Sequence, residues 1–60
     1  MILVEVLIYP FNDSLIGRAF LADTFEEAEN YAAIAHAILN EMEEIKAIKS
    51  FDLDIRRIRR

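Results

Sequence analysis

The fold class this sequence predicts is α+β: a three-stranded antiparallel sheet in the order strand, strand, helix, strand, with one long amphipathic helix on one face. Three observations carry it. A stretch rich in β-branched and aromatic residues and a second, returning apolar stretch flank a polar turn, a helix start signal precedes an apolar stripe of helical period, and the chain closes on a stretch of strict alternation.

Residues 2–9 alternate Ile2, Val4, Val6 and Ile8 with Leu3, Glu5, Leu7 and Tyr9, the composition of a strand with two largely apolar faces. Pro10 lacks a ladder donor and Asn12, Asp13 and Ser14 are turn formers, so 10–14 reads as a turn. Residues 15–22 return as the second strand, in which Gly17 predicts a bulge or a point of close backbone approach.

Thr24 followed three residues later by Glu27 is a capping box, and it starts a helix. Glu26, Glu27 and Glu29 put negative charge in the first turns, where the helix dipole favours it, and Lys46 and Lys49 fall near the other end. Ala28, Tyr31, Ala32, Ala35, Ile38, Leu39, Met42 and Ile45 form the stripe expected to face the core, opposite Glu26, Glu29, Asn30, Asn40, Glu41 and Glu44. The helix is predicted to end between Glu44 and Lys49. Phe51, Leu53 and Ile55 then alternate with Asp52, Asp54 and Arg56 as a half-buried strand. A helical crossover returns this strand parallel to the second, so it pairs antiparallel with the first and leaves the first in the middle.

Sixty residues predict a single ββαβ domain over 1–60. A domain of that size buries only about 60% of the surface its unfolded chain exposes and often needs a staple. Cysteine is absent, which excludes disulfides and thiolate sites, and the single His36 argues against structural zinc. Oligomerisation is the staple that remains. An apolar fraction of 55% with 30% charge is globular rather than disordered. The apolar stretches at 1–10 and 15–22 are interrupted by Glu5 and Arg18, fall short of the roughly 20 residues a bilayer requires, and follow no basic leader. A cytoplasmic chain with no membrane partner is expected.

The net charge of −4 is unevenly spread: all eleven acids lie within residues 1–55 with three bases, while Arg56, Arg57, Arg59 and Arg60 crowd the last five positions. The arginines suit phosphate, which makes nucleic acid a candidate partner, most simply across a dimer. The body is acidic and no aromatic or lysine stripe continues the cluster, so it reads first as a charged end that keeps an edge strand soluble or pairs with acids of a neighbouring subunit. The acidic helix face, Glu26, Glu29, Glu41 and Glu44, reads either as solvated surface or, joined by Asp52 and Asp54, as a face that docks on a basic partner and competes with a phosphate backbone.

Catalytic groups are sparse. Helical spacing lines up Glu29, His36 and Glu43, but a border histidine among glutamates is ordinary flank composition. Neither Ser14 nor Ser50 has a second histidine to activate it, and one glycine cannot make a phosphate loop. No enzyme activity, cofactor or metal is expected; the residual enzymatic reading is a site formed between subunits around His36.

Leu3, Leu7 and Tyr9 share the sheet face that has no helix to cover it, and they are the predicted oligomer interface, with a two-fold dimer the first expectation. The size and order of elements are similar in outline to small phage proteins that inhibit host machinery by binding it, a likeness that covers the element order and no diagnostic motif. It implies an inhibitor. The expected function is a small non-enzymatic protein-interaction module, an inhibitor or accessory subunit of a larger protein, partnered by itself as a homodimer and by an unidentified protein. The alternative is a nucleic-acid-binding protein that uses the terminal arginines.

Overall fold

Strand propensity, a polar turn and a capped helix translate into four elements in the computed structural model, which describes residues 1–58: β1 (Ile2–Tyr9), β2 (Ile16–Ala22), α1 (Phe25–Glu44) and β3 (Ser50–Arg57). The sheet order is β2-β1-β3, with β1 antiparallel to both neighbours. In the turn, Asp13 takes a left-handed φ of 66°, and the Ser14 N–H donates to Asn12 Oδ1 at 3.2 Å, so short polar side chains do what the sequence assigned to them. Register runs unbroken from Ile2 opposite Ala22 to Ile8 opposite Ile16. The expected bulge or close backbone approach at Gly17 is therefore corrected: Gly17 sits in regular pairing opposite Leu7, and a Cβ built there would meet only the Leu7 side chain, at an ordinary 3.7 Å.

Helix α1 begins where expected, with the Glu27 N–H donating to Thr24 Oγ1 at 3.1 Å. Its end uses a device the sequence hides. The Lys46 N–H donates to the Glu43 carbonyl at 3.1 Å and the Ala47 N–H to the Met42 carbonyl at 2.8 Å, the pair of bonds of a Schellman cap, with Lys46 in the left-handed region at φ 64° where glycine is usual. Lys46 thus closes the helix from outside its last turn, and Ile48 turns inward to be buried.

The helix lies over the face of Ile2, Val4 and Val6. One end of the core joins Ile2, Val4, Ala22, Ala28 and Ala32, the other Val6, Leu39 and Ile48. Ala28 and Ala32 carry only a methyl group to hold the helix off the sheet, so it approaches Val4 closely enough to bury it completely. Each large apolar side chain buried here contributes about 1.5–3 kcal/mol. Such contributions are few, because among the described residues Ile2, Val4, Val6, Leu39 and Ile48 are the only larger apolar side chains that are buried, Val4 completely. The radius of gyration is 12.3 Å, against about 10 Å for a compact chain of this length. The molecule is a slab with one thin layer of core.

Candidate interaction surfaces

Strand alternation places Leu3, Glu5, Leu7 and Tyr9 on the face away from the helix, and cross-strand pairing fixes their neighbours. Leu3 lies between Leu21 and Arg56, Glu5 between Ala19 and Asp54, and Leu7 between Gly17 and Asp52. The predicted interface residues Leu3, Leu7 and Tyr9 are thus brought into one row, half-buried by these neighbours rather than fully exposed. Along the β3 side of the row the surface is polar. The Arg56 guanidinium donates to the Glu5 carboxylate and lies 3.4 Å from Asp54. The Tyr9 hydroxyl donates to Asp52 Oδ2 at 3.1 Å; that bond, with desolvation and the carboxylate's charge behind it, raises the Tyr9 pKa above its ordinary 10. Along the β2 side it is apolar, with Leu21 53% exposed and Gly17 offering no side chain.

The arginine cluster does not converge among the described residues. Arg56 is engaged by acids on the open face, whereas Arg57, opposite Ile2, projects to the helix side. Arg59 and Arg60 lie outside the described residues. The acidic helix residues Glu26, Glu29, Glu41 and Glu44 are all exposed. Glu26 and Glu44 fall on one line of the helix, five turns apart, while Glu29 and Glu41 diverge to opposite sides of it.

The helix stripe is wider than the sheet beneath it. Tyr31 stacks on Phe20, with centroids 4.3 Å apart and planes 6° from parallel, so that flank of α1 overlooks β2. Ile34, Ile38 and Ile45 lie within about 60° of Tyr31 around the helix and are 63%, 56% and 69% exposed. Ile38 and Ile45 were expected in the core. They lie outside it because the buried line runs through Ala28, Ala32 and Leu39, and a single sheet face takes up only about 100° of helix. The legible signal was the width of the apolar arc, which with Ile34 spans roughly 160°.

On the other flank His36 meets Phe51 edge-on at 5.5 Å, over β3, and its near neighbours around the helix are Glu29, Asn40 and Glu43. Among the described residues, no three His, Cys, Asp or Glu side chains stand together as a metal site. A hollow of about 210 Å³ lined by Tyr9, Pro10, Asp13, Leu15, Lys49 and Ser50 lies beside the turn, smaller than the roughly 300–1,000 Å³ of ordinary small-molecule sites. Among the described residues, no helix is long and apolar enough to cross a membrane. No protein family, curated protein or solved structure matches the chain.

Proposed function

We propose that this chain is a small non-enzymatic protein-interaction module that associates with itself and serves a larger protein as an accessory or inhibitory subunit. The observation that carries this reading is the apolar row Leu3, Leu7 and Tyr9, continued by exposed Leu21, on a sheet face with no layer over it. In a chain whose core, among the described residues, buries only five of its larger apolar side chains, covering that row adds stabilisation comparable with the few kcal/mol such a domain holds. The outward glutamates Glu26, Glu29, Glu41 and Glu44 stay free for a basic surface on the larger partner.

Sedimentation equilibrium of wild type and Leu7→Glu is the test. Wild type is expected to associate at micromolar concentration, with thermal stability that rises with concentration, and Leu7→Glu to sediment as a monomer. A wild-type monomer at high micromolar concentration overturns self-association.

A further inference from the structure

We infer that two copies of the chain join along their β2 edges, antiparallel about a two-fold axis at Ala19, into one six-stranded sheet with both helices on the same face. The inference shares with the reading above only that the chain associates with itself; it places the contact at the β2 edge instead of over the row Leu3, Leu7 and Tyr9.

The phase of the ladder shows what the free edge of β2 offers. The Lys49 N–H donates to the Tyr9 carbonyl at 2.8 Å and the Ile58 N–H to the Met1 carbonyl at 3.0 Å, so the odd-numbered residues of β1 serve β3. The even-numbered ones therefore serve β2, through Ile16, Arg18, Phe20 and Ala22. By alternation the backbone N–H and C=O groups of Gly17, Ala19 and Leu21 point outward. The Gly17 carbonyl accepts from Arg18 Nη1 at 2.9 Å, a contact from an exposed side chain that an incoming strand displaces. Three outward residues paired with the same three of a second copy give about six hydrogen bonds.

The strand complements itself. Centred on Ala19, all seven residues from Ile16 to Ala22 find a partner. On the open face Leu21 then comes opposite Gly17 of the second copy, where the missing Cβ leaves a notch floored by Leu7; a Cβ built there would lie 3.7 Å from Leu7 Cδ2. The two-fold axis makes this contact twice. On the helix face Arg18 comes opposite the Phe20 ring, a cation beside an aromatic face. Shifting the centre to Arg18 would set two guanidinium groups opposite each other, and shifting it to Phe20 would leave only residues 18–22 paired. Above the joined strands, the rows of Ile34 and Ile38 face one another across the axis.

A compact chain of 7.0 kDa exposes about 4,000 Å², and this one exposes 4653 Å², so it carries roughly 600 Å² more surface than a self-contained chain of its mass.

Ala19→Cys tests the register directly, because the chain has no other thiol. A hydrogen-bonded antiparallel pair holds its Cα atoms about 5.5 Å apart, within disulfide range. Under mild oxidation at micromolar concentration, Ala19→Cys is expected to convert almost wholly to a disulfide dimer. Asp54→Cys, on the same sheet face but at the β3 margin, is expected to stay largely monomeric on a non-reducing gel. If wild type associates by sedimentation while Ala19→Cys fails to cross-link, or both variants cross-link alike, the β2 contact is overturned and the open-face reading stands. If wild type is monomeric at high micromolar concentration and Ala19→Cys does not cross-link, both fall.

Discussion

The two margins of the sheet are built from the same kinds of element and dressed differently. At the β3 margin four of eight strand residues are charged, Asp52, Asp54, Arg56 and Arg57, and the helix flank above carries Glu29, His36, Asn40 and Glu43. At the β2 margin Arg18 is the one charge among seven residues, and the flank above carries Ile34, Ile38 and Ile45. Sheet edges invite pairing, and charge is the ordinary way to discourage it. One margin is therefore guarded and the other left open. The difference teaches that in a chain this small exposed apolar surface is informative by where it collects: Leu21, Ile34, Ile38 and Ile45 stand together along the β2 edge, and no such group stands along β3 among the described residues.

The largest expected effect tests whether the helix has the rotation that produces this contrast. Leu39 and Ile38 are adjacent, yet one is buried and the other is 56% exposed. Leu39→Ala should cost about 2–5 kcal/mol in urea denaturation at low protein concentration, as core truncations do. Ile38→Ala should stay within about 0.5 kcal/mol under the same conditions. Equal losses at the two positions would mean that the helix is rolled toward β2 and the open margin is covered.

Next in size is a charge placed on each flank. Ile34→Glu at the β2 side should weaken self-association about 100-fold, or ~2.7 kcal/mol, whereas Asn40→Glu at the β3 side should leave it unchanged. Analytical ultracentrifugation across a dilution series reads both. If the two substitutions act equally, net charge rather than location governs association, and the contrast between margins loses its meaning.

The order of elements, the central place of β1 and the helix start were legible because each rests on a local rule: alternation for the strands, the Thr24 oxygen for the cap, and the antiparallel return forced by a single crossover. The row Leu3, Leu7 and Tyr9 was legible for the same reason, since period two assigns faces without coordinates. Three features were not. The fate of Ile38 and Ile45 depends on the rotation of the helix about its axis, which is set by Ala28 and Ala32 seating close to Val4 and by the stack of Tyr31 on Phe20, contacts between residues remote in sequence. The helix ends at Glu44, within the predicted window of 44–49, but the left-handed cap at Lys46 that closes it carried no glycine to announce it. Arg56 looked like part of a basic tip, but the register to β1 places it beside Glu5 and among acids.

The helix termini fix the length of the element, and both can be perturbed. Thr24→Ala removes the oxygen that accepts from the Glu27 N–H and should cost about 0.5–2 kcal/mol; an unchanged denaturation midpoint would place the helix start elsewhere. Lys46→Gly should act in the opposite sense. A β-carbon in the left-handed region costs about 1–2 kcal/mol, and glycine gives part of this back through its greater freedom in the unfolded chain. A net gain of about 0.5–1 kcal/mol is expected, visible as a higher melting temperature. A loss would show that the Lys46 side chain contributes contacts that outweigh the strain.

The smallest effect belongs to the guarded margin and concerns how its polar surface is held together. Tyr9 donates to Asp52 across the β1 and β3 strands, and the bond exists only while the phenol keeps its proton. Its pKa is accordingly raised above 10, first by this hydrogen bond and then by desolvation and the nearby carboxylate. Because the folded state holds the proton more tightly than the unfolded chain, the contribution is fully present below the unfolded pKa and is lost as pH rises through the higher folded value. The Tyr9 ring carbon shifts followed by NMR should therefore titrate above 10 in wild type and move back toward 10 in Asp52→Ala, with wild type losing its advantage over the variant only in strong alkali. Titration of Tyr9 at an unshifted value in wild type would show that the hydroxyl is solvated rather than bonded, and the polar side of the open face would then be looser than the β2 side it is contrasted with.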